Sequence, residues 1–201
     1  MYKVKARKAS SDESAVEIMK CSLWLLPPAS VGNDLRVLIH ELSCEGASVP
    51  FEPHVTIVGG IDCQDDPAQL CRNLQDALRG KFGNGIDCQV QPKAVSIRSD
   101  GGTVQWNQAL VAVLDKTPSM LALVDASRKA FHLPPGPKFA PLLQNPHLSL
   151  YYGTCIDNIP DPDCVVVQQS FLATELALWK TEPGTPEGVA EWKEVGRISL
   201  I

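Results

Sequence analysis

Two copies of one short phrase constrain this chain more than any other feature: Pro53-His54-Val55-Thr56-Ile57 and Pro146-His147-Leu148-Ser149-Leu150. Each reads proline, histidine, apolar, hydroxyl, apolar. His54 and His147 lie 93 residues apart, one in each half of a 201-residue chain. In a β-strand, residues i and i+2 share a face. Each phrase therefore sets an imidazole beside a hydroxyl and turns the apolar residues between and after them into a core. Two such pairs facing each other would place two proton-transfer groups and two hydroxyl donors around one small anion.

The rest of the composition bounds what that anion can be. The chain is 44% hydrophobic and 20% charged, ordinary for a soluble globular protein and enough for one well-cored domain or two small lobes. Its net charge of −5 argues against stable nucleic-acid binding, which needs a basic surface. A small phosphorylated molecule can still bind through local donors. The seven cysteines include no C-x-x-C pair, so zinc-site and thioredoxin-type readings are weak. The apolar stretch 21–28 is short and ends in two prolines. It lacks the context of a secretory signal, and no run approaches the roughly 20 apolar residues of a membrane helix. A soluble protein of a reducing intracellular compartment, the cytoplasm first, is expected. Its cysteines then serve mostly as small buried apolar residues. Residues 1–19 mix Lys3, Lys5, Arg7 and Lys8 with Asp12, Glu13 and Glu17 and read as a loose polar tail.

The pattern along the chain alternates strand and helix. Ser22 to Leu26 reads as a buried strand stopped by Pro27-Pro28, and Ser30 to Glu45 as a helix. The first histidine phrase is a strand that breaks at Gly59-Gly60. Asp65-Asp66-Pro67 starts a helix that Leu70, Leu74, Ala77 and Leu78 carry to Gly80. Strand signals follow from Ile86, turn at Asp100-Gly101-Gly102, and return as one long apolar strand over Val104–Leu114. Pro118–Phe131 is a helix. The five prolines of 133–146 exclude regular structure and leave a stiff connection or a lid. The second phrase is a strand from His147 to Tyr151. A short helix at Pro162–Gln169 and strands at Glu175–Trp179 and Val195–Leu200 complete the chain. Antiparallel hairpins beside helices argue for α+β over a doubly wound parallel sheet.

Histidine gives or takes a proton near neutral pH. Hydrolysis of a phosphate ester wants one group to deprotonate water and another to protonate the leaving oxygen, on opposite sides of phosphorus. His54 and His147 fit that need from two sides of a cleft. Thr56 and Ser149 can donate to the non-bridging oxygens as charge builds there. Such chemistry requires no metal and no cofactor. No carboxylate cluster that would hold a metal stands out.

These residues resemble the two-histidine (2H) phosphoesterases, marked by paired H-x-[ST]-x motifs with an apolar fourth position. Within that superfamily the chain is similar to the fungal and plant cyclic phosphodiesterases. The likeness rests on Ser22-Leu23-Trp24-Leu25-Leu26-Pro27, Phe51-Glu52-Pro53-His54-Val55-Thr56-Ile57, Asn145-Pro146-His147-Leu148-Ser149-Leu150-Tyr151-Tyr152, and Glu191-Trp192-Lys193 followed by Val195-Gly196-Arg197-Ile198. It spans about 20–201, one domain. The resemblance implies a bilobal duplicated fold, with two antiparallel sheets lining a central cleft, helices outside and strands exchanged between the lobes. It implies His54 and His147 as the catalytic pair and Thr56 and Ser149 as phosphate holders. Trp24 and Tyr152 become substrate-side aromatics that stack on a base or close the pocket. Strand alternation alone would put Tyr151 beside Ser149 instead of Tyr152. The implied reactions are hydrolysis of ADP-ribose 1″,2″-cyclic phosphate to ADP-ribose 1″-phosphate and of nucleoside 2′,3′-cyclic phosphates to 2′-phosphates, linked to tRNA splicing. The implied partner is a small-molecule cyclic phosphate, and a monomer is expected. Two alternatives stand: a 2H enzyme acting on RNA ends or 2′,5′-linked oligonucleotides, and a nucleotide-binding protein without turnover.

Other features read as structural. Trp106, Trp179 and Trp192 suit packing, His40 and His132 suit structural or surface positions, and Gly83-Asn84-Gly85 lacks the further glycine of a dinucleotide fingerprint.

Overall fold

The computed structural model describes residues 20–63, 66–97, 99–100, 103–136, 140, 143–167 and 170–201. The expected polar tail, residues 1–19, lies outside them, as does part of the proline-rich stretch 133–146. The first strand, β1 (Lys20–Leu26), leads into α1 (Ala29–Glu45), β2 (Val55–Asp62) and α2 (Pro67–Leu78). Then come β3 (Ile86–Cys88), β4 (Val90–Ile97), β5 (Ser99–Asp100), β6 (Thr103–Val104), β7 (Leu110–Leu114) and α3 (Pro118–Ala130). β8 (His147–Tyr151), β9 (Phe171–Ala173), β10 (Glu175–Lys180) and β11 (Lys193–Ser199) finish the chain.

The fold is α+β and bilobal. One antiparallel sheet has the order β11-β10-β1-β2, and a second has the order β4-β7-β8. The first histidine phrase feeds the first sheet and the second phrase feeds the second. The C-terminal strands β10 and β11 complete the sheet begun by β1 and β2, so strands are exchanged between the halves. Helices cross over in the same sense: α1 packs on β8 and α3 on β2. Buried side chains from both sheets and all three helices form one contiguous apolar cluster.

The helix ends follow their sequences. The Asp66 carboxylate accepts from the Ala68 N–H with Pro67 in the first turn, and the Thr117 hydroxyl accepts from the Met120 N–H with Pro118 next. Each side chain satisfies an orphan donor that the helix cannot. α2 buries Leu70, Leu74 and Leu78, a single stripe at helical spacing.

Three expected elements differ. β2 does not stop at Gly59-Gly60. Cys21 pairs with Ile61 and Leu23 with Val58, so two residues of β2 face one of β1. Gly60 takes φ +69°, where an unbranched backbone is needed. The glycines therefore bulge the strand without ending it. The expected long strand Val104–Leu114 is interrupted by a 3-10 turn at Trp106–Gln108, pinned where the Trp106 carbonyl accepts from the Gly153 N–H at 2.8 Å. The expected helix at Pro162–Gln169 is only a single turn, Pro162–Cys164, capped by Asp161. Its last two residues lie outside the described ones.

The cysteines depart further from expectation. Cys21 and Cys63 are joined in a disulfide, with 6.1 Å between their Cα atoms. Cys44, Cys155 and Cys164 are exposed and Cys71 is half-buried, which leaves Cys88 as the buried free thiol. The reading of these residues as mostly buried hydrophobes does not hold.

Candidate active site

The two phrases build their histidines the same way. In each, the imidazole Nδ1 meets the main-chain carbonyl two residues earlier: His54 with Glu52 at 2.6 Å, His147 with Asn145 at 2.7 Å. The residue between is proline in both cases. It holds the residue before it in extended backbone. With Nδ1–H donating to a carbonyl, the neutral ring carries its lone pair on Nε2. A main-chain carbonyl thus sets the tautomer of each ring and holds one of its edges.

His54, Thr56, His147 and Ser149 line one cavity of about 410 Å³, together with Trp24 and Tyr152. All six side chains expected from the sequence meet there. No Lys, Arg, Asp or Glu is among the described residues of that lining. The wall is imidazole, hydroxyl, amide and indole, so a protonated histidine is the one full positive charge the described lining can present.

Burial separates the groups. His54 is 3% exposed and Ser149 4%. Desolvation pushes the His54 imidazolium pKa down to about 3, the carbonyl of Glu52 pulls it back partway, and the facing His147 lowers it further. Two facing imidazoles resist being charged together. Burial also raises the Tyr152 phenol above its ordinary range, eased by a hydrogen bond with Ser149. The Ser149 hydroxyl donates to the Asn107 carbonyl at 3.1 Å, whereas no partner of the Thr56 hydroxyl occurs among the described residues.

Tyr152 and not Tyr151 reaches the cavity, and a bulge is the reason. Val113, Ala112 and Val111 pair in step with His147, Leu148 and Ser149, but Leu110 pairs with Tyr151. Leu150 is the extra residue. It breaks the two-residue alternation, so Tyr152 follows His147 and Ser149 onto the cleft side. Tyr151 turns into the core, 1% exposed, and its hydroxyl donates to the Gly46 carbonyl at 2.6 Å.

Sequence reasoning missed several wall residues. Trp106 and Trp192 line the cavity, while Trp179 packs on Trp24 as expected. Gln105, Asn107 and Gln108 come from the turn that replaces the expected strand. Ser22 shares the cavity face of β1 with Trp24, two residues on, which alternation could have shown. Its hydroxyl bonds that of Thr181 at 3.0 Å. His40 and His132 are exposed and lie outside the cavity, as expected.

A two-lobed α+β fold with a His–hydroxyl pair from each half defines the 2H phosphoesterases. A model of the cyclic phosphodiesterase-like protein family matches residues 19–200, and the chain belongs to that family. It is a phosphoesterase. No curated protein sequence matches it. Among solved structures it is similar to Escherichia coli LigT complexed with 3′-AMP, at 14% identity over 92% of this chain and 99% of that one, with a TM-score of 0.48. It is also similar to a structure described as a phosphoesterase, at 14% identity over 92% and 99% of the two chains, with a TM-score of 0.47. No helix among the described residues is long and apolar enough to cross a membrane.

Proposed function

We propose that this protein is a metal-independent cyclic phosphodiesterase acting on nucleotide-like sugars. Its substrates are ADP-ribose 1″,2″-cyclic phosphate, opened to ADP-ribose 1″-phosphate, and nucleoside 2′,3′-cyclic phosphates, opened to 2′-phosphates. Such cyclic phosphates arise in tRNA splicing. One observation carries the reading: two imidazoles with the same main-chain anchor share a 410 Å³ cavity with the Thr56 and Ser149 hydroxyls, and no carboxylate is among its described lining residues.

In this reaction a water is deprotonated on one side of phosphorus and the leaving sugar oxygen is protonated on the other. His54, held neutral, enters as the base, with its Nε2 lone pair taking the water proton. His147 enters as the acid and gives its proton to the departing sugar oxygen, the 3′ oxygen of a nucleoside 2′,3′-cyclic phosphate or the 2″ oxygen of ADP-ribose 1″,2″-cyclic phosphate. A bound phosphate anion would oppose the desolvation of His54 and bring its basicity back toward the working range. Thr56 and Ser149 donate to the non-bridging oxygens. To do so, the Ser149 hydroxyl turns from Asn107. The base has room beside Trp106 and Trp192, both half-buried at the cavity wall and neither stacked face to face by a described ring.

The test is a panel of cyclic phosphates in excess EDTA, with product regiochemistry read out. The expected product of a 2′,3′-cyclic nucleotide is the 2′-phosphate. His54→Ala and His147→Ala should each cost about 10²–10⁴-fold in kcat with the circular dichroism spectrum retained. Activity that depends wholly on added metal overturns the mechanism.

A further inference from the structure

The Trp24 ring has no free face. On one side its plane meets the His54 imidazole, with 3.6 Å between centroids and 6° between planes. On the other it meets the Trp179 indole at 4.5 Å and 19°. The sheet dictates this order. β1 lies between β10 and β2; Trp24 pairs with Ala177 on β10 and with Thr56 on β2. Trp179 and His54 therefore approach from opposite flanks. Trp24 is 2% exposed and offers the cavity only an edge.

We propose that Trp24 is a positioning residue, which fixes the ring plane of His54 by stacking on it and does not stack on the substrate's base. This rests on the reading of His54 as a reacting group. The Nδ1–carbonyl bond holds one edge of the imidazole but leaves the ring free to tilt about that edge. The flat indole removes the tilt, and Trp179 backs the indole. Phe51 closes a third side, edge-on at 6.1 Å and 70°. The same stack denies water to the face of the imidazole and so favours its neutral form. A loosened ring would carry Nε2 out of line with the attacking water, and misplacements of about 1 Å cost on the order of 10²-fold in rate. The titratable and charged groups near His54 are few. His147 faces it from β8, the Tyr152 phenol shares the cavity, and the Glu52 carboxylate is held by Arg36 at 2.8 Å. The side chains in ring contact with His54 are the Trp24 indole and the Phe51 phenyl ring.

Trp24→Leu removes the ring and keeps much of the apolar volume; Trp24→Phe keeps a flat ring. Both are made in the full chain. Steady-state kinetics use the 2′,3′-cyclic phosphates of adenosine and uridine, and ribose 2,3-cyclic phosphate, which has no base. Nitrogen-15 NMR follows the His54 ring. In Trp24→Leu, kcat should fall about thirtyfold or more by the same factor for all three substrates, with KM within about threefold. The His54 signals should begin to titrate between pH 5 and 8. Trp24→Phe should recover kcat to within about threefold and keep His54 neutral across that range. The proposal is overturned if KM rises for the two nucleotides but not for the base-less sugar, or if the His54 signals do not change in Trp24→Leu. Should the wild-type chain open none of these phosphates, the functional reading fails, yet the NMR measurement still decides the role of Trp24.

Discussion

Phe51 lies flat against Tyr152, with 3.7 Å between ring centroids and 10° between planes. The two rings come from opposite halves of the chain, three residues before His54 and five after His147. The Ser48 hydroxyl, just upstream of Phe51, also donates to the Tyr152 carbonyl. The pair clasps the two histidine phrases to each other beside the cavity.

A double-mutant cycle should measure that clasp. Phe51→Leu and Tyr152→Leu, each alone and combined, should show a coupling of about 0.5–1.5 kcal/mol in urea unfolding, the usual worth of an aromatic pair beyond its buried area. Strictly additive changes would mean that the rings touch without stabilising the join.

His54 should make the protein acid-sensitive in a defined window. Its folded pKa of about 3 lies below the ordinary 6.5, so the unfolded chain binds a proton that the folded chain refuses. The stability tied to neutral His54 is complete above pH 6.5 and is lost as pH falls through the window toward 3. Wild type should therefore lose stability relative to His54→Asn by about 1.4 kcal/mol per pH unit between pH 6 and 5. Urea midpoints of both chains across pH 7 to 5 check this, and parallel curves would contradict it.

Tyr151 and Gly46 should behave as one structural joint. A Cβ on Gly46 would sit 2.5 Å from the Tyr151 ring, which is buried and cannot move aside. Gly46→Ala should cost about 1–3 kcal/mol by overpacking. Tyr151→Phe leaves the Gly46 carbonyl without its donor and should cost about 1–3 kcal/mol. Thermal unfolding of the two variants would show whether the α1 terminus and β8 depend on each other.

The cysteines allow a direct count. With Cys21 and Cys63 bonded, five thiols are free. Titration of the unfolded, unreduced protein with a thiol reagent should find five groups, and seven after reduction. Reduction should also lower stability by about 2–4 kcal/mol, since the bond closes a long stretch of chain. Seven thiols without reductant would remove the bond.

Much of the site was legible because its signals are local. The X-Pro-His phrase carries the ring anchor within three residues, and strand alternation carries each hydroxyl. The six expected side chains do line one cavity. What the sequence hid depends on pairing partners far along the chain. The Leu150 bulge that swaps Tyr151 for Tyr152 exists only relative to β7. The wall amides of Gln105, Asn107 and Gln108 arise because Gly153 pins Trp106 in a turn that interrupts the expected strand. Trp106 and Trp192 read as packing because an indole at a cavity rim has the same local pattern as one in a core. The helix expected at Pro162–Gln169 failed for a local reason, since Val165, Val166 and Val167 are β-branched and favour extended backbone.

The paired carbonyl anchors of His54 and His147 have a consequence for which substitutions the protein tolerates. Many histidines that move protons are oriented by a carboxylate, and losing that carboxylate's charge disarms them. Here the acceptors are peptide oxygens, which neither titrate in the physiological range nor change with the side chain that bears them. The identities of residues 52 and 145 are thus free to drift without altering how either ring is held. The prolines at 53 and 146 are not, because each keeps a peptide oxygen aimed at an imidazole.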